Sequence, residues 1–157
     1  MTKALCPGSF DPVTIGHVDI IERASARFDS LVVAVVTNPS KAPLFNTEER
    51  MGLLEEAVGH LPNVEISSFD GLLVDFAKSI GVDVIVKGLR AVSDFDYEIQ
   101  MAQMNNKLSG IETFFMAASP VTSYLSSSLV KEIARFGGDV SSLVPRGVAE
   151  RLKAKFS

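Results

Sequence analysis

Short runs of β-branched and apolar residues alternate along the chain with longer stretches in which apolar positions recur every three or four residues. That alternation is the pattern of βα units around a parallel sheet. Five strands are predicted, at Ala4–Cys6, Ser30–Thr37, Val64–Ser68, Asp83–Lys87 and Glu112–Ala117. Between them Val18, Ile21, Ala24, Ala26 and Phe28 fall near helical spacing, as do Met51, Leu54, Val58 and Leu61, and those faces should pack on the sheet. Local punctuation agrees. Asn46 followed by Glu49 has the form of a helix-opening capping box, Ser93 precedes two acidic residues suited to a first turn, and Gly81, Gly110 and Gly137 stand where helices should stop. The segment Arg146–Phe156 after Pro145 reads as a terminal helix. The expected fold is therefore α/β: a doubly wound five-stranded parallel sheet with helices on both faces, residues 1–157 forming one domain. Ligands in such sheets bind beyond the carboxyl ends of the strands, so the loops after each strand are the places to look.

Composition narrows the chemistry. With 157 residues and 46% apolar content the chain can build a sizeable core, and its one cysteine, Cys6, excludes an internal disulfide framework. No Cys/His pair has the spacing of a zinc site. The net charge of −4 argues against broad nucleic-acid binding, although a small anion in a local basic pocket remains compatible with it. The longest apolar runs, Ser30–Val36 and Val82–Val86, are too short to cross a bilayer, and no secretory pattern opens the chain; a cytoplasmic protein without membrane contact is expected.

Four loops carry candidate chemistry. Pro7 to His17 leads from the first strand into a helix, where Gly8 and Gly16 allow close backbone approach, Ser9 offers a hydroxyl, and His17 falls in a first turn that favours anions. Lys41 sits in a Pro-bracketed loop after the second strand, where by itself it reads as a solvated lysine. Lys87-Gly88-Leu89-Arg90 ends the fourth strand and sets two cations three residues apart, an arrangement suited to polyphosphate. The following helix is rich in amides and carboxylates, with Met101 and Met104 read as core filler and Glu98 placed to bond a ribose or orient a cation. The last loop, Thr122-Ser123-Tyr124-Leu125-Ser126-Ser127-Ser128, enters the helix Leu129–Phe136 and forms a second anion cradle. Two cradles in one small fold point to a nucleoside triphosphate. Cys6, in a buried-looking strand without a basic activator, reads as a core residue, and His60 carries no assigned role.

Thr14-Ile15-Gly16-His17 after a strand resembles the T-x-G-H signature of the nucleotidylyltransferase superfamily. The longer segments Pro7–His17, Lys87–Glu98, Met101–Asn105 and Ser126–Glu132 resemble bacterial pantetheine-phosphate adenylyltransferases from end to end. The resemblance implies a Rossmann-like nucleotidylyltransferase fold and transfer of AMP from ATP to 4'-phosphopantetheine, giving dephospho-coenzyme A and pyrophosphate. It implies that Ser9, Lys41, Leu73 and Lys87 contact phosphopantetheine, and that Ser9, Phe10, His17, Gly88, Leu89, Arg90, Glu98 and Thr122 to Ser128 contact ATP. Magnesium (Mg2+) held mainly by substrate phosphates, a homohexamer and feedback inhibition by coenzyme A are likewise implied. Ser9 stands where Thr is common in that family, and Lys87 where Arg is common. A phosphate monoester needs no general base to attack the α-phosphorus, so His17, Lys41, Lys87 and Arg90 are expected to act by positioning and charge stabilisation. Other small nucleotidylyltransferases, and a non-catalytic nucleotide sensor on the same fold, are the rival readings.

Overall fold

A computed structural model describes residues 1–38, 42–90 and 92–157. Its strands are β1 (Lys3–Gly8), β2 (Ser30–Thr37), β3 (Val64–Asp70), β4 (Val84–Leu89) and β5 (Glu112–Ala117). Its helices are α1 (Ile15–Ser25), α2 (Thr47–Val58), α3 (Leu73–Ser79), α4 (Val92–Ser109), α5 (Ser127–Arg135) and α6 (Arg146–Phe156). The strands form one sheet in the order β3-β2-β1-β4-β5, and every neighbouring pair is parallel.

The sequence pattern explains which strand goes where. The three inner strands are near-continuous apolar runs, covered on both faces, and β2 buries every residue from Leu31 to Val35. Alternation then divides them between two cores. Ala4, Cys6, Leu31, Val33 and Val35 pack against α1, α2, α5 and α6, whereas Leu5, Val32, Ala34 and Ile85 pack against Ala77 and its neighbours on α3. The edge strands β3 and β5 are far less buried. Gly81, Gly110 and Gly137 adopt φ of 67°, 76° and 78°, the left-handed conformation that lets a helix stop without a Cβ clash.

The site begins with a pairing defect. β1 and β2 pair continuously from Lys3↔Ser30 to Gly8↔Val35, but β1 and β4 pair only at Ala4↔Val84 and Leu5↔Ile85. Beyond those two rungs the strands part, and their carboxyl ends bound a crevice. This is also where the chain, having wound outward to β3, returns to the other side of β1, the switch point at which open parallel sheets bind ligands.

Several expectations need correction. Helix α3 was marked in the sequence only by its stop at Gly81, because at seven residues it is too short for its apolar period to stand out. Strands β1, β3 and β4 run two residues further toward the crevice than their apolar runs indicate. Met101 and Met104 are not core filler: they are 38% and 55% exposed, and with Tyr97 and Leu108 they make an apolar stripe on α4 that faces away from the sheet. Periodicity identifies an apolar helix face but not what covers it. Among the described residues no helix is long and apolar enough to cross a membrane.

Candidate active site

Helix α1 starts at the crevice with an unusual capping box. The Thr14 hydroxyl accepts the His17 backbone N–H at 3.4 Å, and the His17 ring returns the favour, its Nδ1 accepting the Thr14 backbone N–H at 3.0 Å. A nitrogen that accepts carries no proton, so the neutral ring holds its hydrogen on Nε2. Desolvation first, and the Arg90 charge second, lower the His17 pKa from 6.5 to about 4. The ring, packed edge-on against Phe10 at 5.1 Å between centroids, is therefore a neutral Nε2–H donor at physiological pH. Nδ1 is turned back into the helix, which leaves Nε2 for the cavity that the ring lines.

That cavity, of about 330 Å³, occupies the crevice. One wall is the end of β1 with Phe10 and His17, a second is Lys87, Gly88 and Arg90 at the end of β4, and a third is Ser126 to Ser128 at the mouth of α5. Gly88 is there for fit: a Cβ would come within 3.0 Å of the Ile20 side chain on α1. At α5 the three hydroxyls have different tasks. Ser126 caps the helix by accepting the Leu129 N–H at 3.0 Å, Ser127 donates to the Pro12 carbonyl at 2.8 Å and ties α5 to the β1 loop, and the Ser128 hydroxyl has no partner among the described residues. Neither α1 nor α5 has an acidic residue in its first turn, so the positive ends of both helices are left for an anion.

The cations at the end of β4 are both held by α4. Lys87 pairs with Glu98 at 3.1 Å, and Arg90 pairs with Asp94 at 3.1 Å while donating to the Leu125 carbonyl. Both pairs are partly solvated, and such pairs are worth no more than about 1 kcal/mol, so an arriving phosphate can compete for either cation. Cys6 lines the cavity, but burial pushes its thiol up to about 11 against a smaller opposing pull from Lys87. It stays protonated and inert. Among the described residues no group of three or more His, Cys, Asp or Glu side chains could hold a metal ion.

Of the residues singled out in the sequence, Phe10, His17, Lys87, Gly88, Arg90, Thr122, Leu125, Ser126, Ser127 and Ser128 line this one cavity. Ser9 lines an adjoining one. Glu98 reaches the site through Lys87, whereas Leu73, Leu89, Ser123 and Tyr124 do not line the cavity. Tyr124 is 61% exposed, and Leu73 packs at the margin of the α3 core. Lys41 lies outside the described residues. Thr14 was read only as part of the T-x-G-H signature, and its role in fixing the His17 tautomer was missed, although Thr14-x-x-His17 has capping-box spacing and was open to that reading. Buried Arg50 and Asp11 were missed too, and neither had a sequence signal of its own.

A family profile described as cytidylyltransferase-like matches residues 5–133, from within β1 into α5. Solved structures share the architecture. A lipopolysaccharide core biosynthesis protein from Thermoplasma volcanium GSS1 is 24% identical, with a TM-score of 0.55 over 76% of this chain and 97% of its own. A candidate nicotinate-nucleotide adenylyltransferase from Vibrio parahaemolyticus is 18% identical, with a TM-score of 0.67 over 98% of this chain and 99% of its own. At those identities the likeness is one of fold.

Proposed function

The chain belongs to the cytidylyltransferase-like family and is a nucleotidyltransferase, and from that premise we propose that it is a pantetheine-phosphate adenylyltransferase, moving AMP from ATP to 4'-phosphopantetheine. The observation that carries the reading is His17: a neutral Nε2–H donor in the crevice, with cations on one side and an acid-free helix mouth on the other. Support for this particular acceptor comes from the Lys87–Glu98 and Met101–Asn105 segments, which match that family beyond the superfamily signature.

In this reading a phosphate oxygen of phosphopantetheine attacks the α-phosphorus of ATP, a new P–O bond forms, and the bond to the β-phosphate oxygen breaks to release pyrophosphate. Lys87, freed from Glu98, and Lys41 hold the attacking phosphate in line. His17 donates from Nε2 to an α-phosphate oxygen as charge builds there, and because the ring is already neutral it needs no proton exchange to do so. Arg90 and the α5 mouth bind the phosphates that leave. Magnesium, when bound, would be held mainly by the substrate phosphates and would supply charge neutralisation there. The α4 stripe of Tyr97, Met101, Met104 and Leu108 is apolar surface that assembly, in the proposed homohexamer, would cover.

The test is pyrophosphate release with ATP or CTP, each paired with phosphopantetheine, nicotinamide mononucleotide or nicotinate mononucleotide. Release only from ATP with phosphopantetheine is expected. Turnover with a mononucleotide instead would replace the acceptor, and binding of ATP without release in any pairing would make the protein a sensor.

A further inference from the structure

Phe10 occupies a conformation that aromatic residues rarely adopt. Its φ is 48°, and among the described residues no other non-glycine has a positive φ. The left-handed region brings Cβ against the following carbonyl, so an aromatic residue stays there only where its surroundings compel it. The ring shows what the conformation achieves. Phe10 is 4% exposed, packs so closely on Gly8 that a Cβ there would come within 3.0 Å of it, and meets the His17 ring edge-on.

The compulsion comes from the residues on either side. On the amino side the Ser9 carbonyl accepts Nη1 of Arg50 at 2.9 Å. Arg50, on α2, is itself buried, and it also donates to the Val36 carbonyl at the end of β2 and to the Asn46 carbonyl and Thr47 hydroxyl at the start of its own helix. One planar fork thus joins the β1 loop to β2 and α2, a task that the point charge of a lysine could not perform in the same geometry. All four acceptors are neutral, and burying a cation among neutral groups is costly. An apolar side chain would fill the space more cheaply, so the contacts are what this residue supplies. On the carboxyl side the buried Asp11 carboxylate accepts the Leu44 and Phe45 N–H groups at 2.9 Å each and meets Lys131 of α5 at 3.2 Å. Neither Arg50 nor Asp11 lines the main cavity.

We propose that Arg50 and Asp11 are positioning residues for the transfer, bracketing Phe10 so that its ring shields His17 from water and holds it toward the transferring phosphate. The proposal rests on the nucleotidyl-transfer reading above. The two residues act through Phe10 and His17 and not on the reacting groups. The other titratable or charged side chains that line the cavity with His17 are Cys6 of β1, whose thiol stays neutral, and Lys87 and Arg90 at the end of β4. Desolvation is the first cause of the lowered His17 pKa and Arg90 the second. A loosened bracket admits water to the ring while leaving both cations in place, so the pKa should rise toward its ordinary value.

Nitrogen-15 NMR of His17 in the full chain, with His60→Gln throughout, reads the bracket directly. Arg50→Gln and Asp11→Asn should each raise the His17 titration midpoint by about one unit or more. Each should also lower kcat by about tenfold or more, with little change in the KM for ATP, as misplacement of a reacting-site group does. Arg50→Lys, which keeps a donor for Ser9, should fall between Arg50→Gln and wild type. Glu49→Ala is the control for a merely structural role: it weakens the same helix at its cap and should leave both the midpoint and kcat unchanged. Because the two bracket residues lie on separate elements, either variant decides the matter if the other fails to fold. An unmoved midpoint in the variant that folds, an equal rise in Glu49→Ala, or a loss confined to the KM for ATP would each overturn the proposal. The titrations need no substrate, so shifted midpoints without turnover in any pairing of substrates would sink the transfer reading and leave the bracket standing.

Discussion

Helices α1 and α2 open with the same device and use it for different ends. In α2 the Asn46 side chain accepts the Glu49 N–H at 2.8 Å while the Glu49 carboxylate accepts the Asn46 N–H at 3.1 Å. In α1 Thr14 and His17 make the same reciprocal pair. The carboxylate of Glu49, with Glu48 beside it, answers the positive end of α2 from within the chain. Histidine at the equivalent position of α1 closes the box with one nitrogen and, being neutral, leaves that positive end unanswered at the mouth of the crevice. Neither Asn46 nor Glu49 lines either cavity, whereas both Thr14 and His17 line the main one. A local stabilising motif becomes part of a site when its last residue has a second hydrogen-bonding atom and the sheet opens in front of it.

The contrast breaks most sharply at the last residue of each box. His17→Ala should lower kcat by about a hundredfold or more, as loss of a transition-state donor does, while Glu49→Ala should leave kcat unchanged; steady-state kinetics of the two variants, with ATP affinity measured alongside, checks this. Acid stability comes next. An unfolded histidine titrates at 6.5 and His17 at about 4, so between those values the unfolded chain binds the additional proton. Stability therefore falls as the pH drops through that window, by up to about 3 kcal/mol, and His17 adds no pH dependence above it. Urea melts at either end of the window should show the loss in wild type and a smaller one in His17→Gln. The smallest effects belong to the first residues of the boxes. Thr14→Val and Asn46→Ala should each cost about 1 kcal/mol of stability, but only Thr14→Val should also slow turnover, because it loosens the ring that the reaction uses. Thermal melts paired with kcat separate the two.

The inner strands were legible because burial on both faces demands unbroken apolar runs, which Leu31 to Val36 and Val84 to Val86 supply. The ends of β1 and β4 were not, since Pro7, Gly8 and Gly88 extend the strands with residues chosen for the crevice and for contact with Ile20 and Phe10. Special residues marked His17 and the serine loop plainly. Arg50 left no trace, because a helix pattern records apolar positions and this buried position is filled by a guanidinium whose acceptors come from two other segments and its own helix start. The exposed stripe on α4 was read backwards for a related reason: Met101 and Met104 have the spacing of a core face whatever covers them.

The state of His17 in the folded protein is the most direct point of attack. The chain has two histidines, so nitrogen-15 NMR of His60→Gln reports on His17 alone. From about pH 5 to 8 its Nε2 should stay protonated and its Nδ1 bare, with no titration across the range that is usual for histidine. A proton on Nδ1, or a titration midpoint near 6.5, would contradict a neutral imidazole held by Thr14 and aimed at the transferring phosphate.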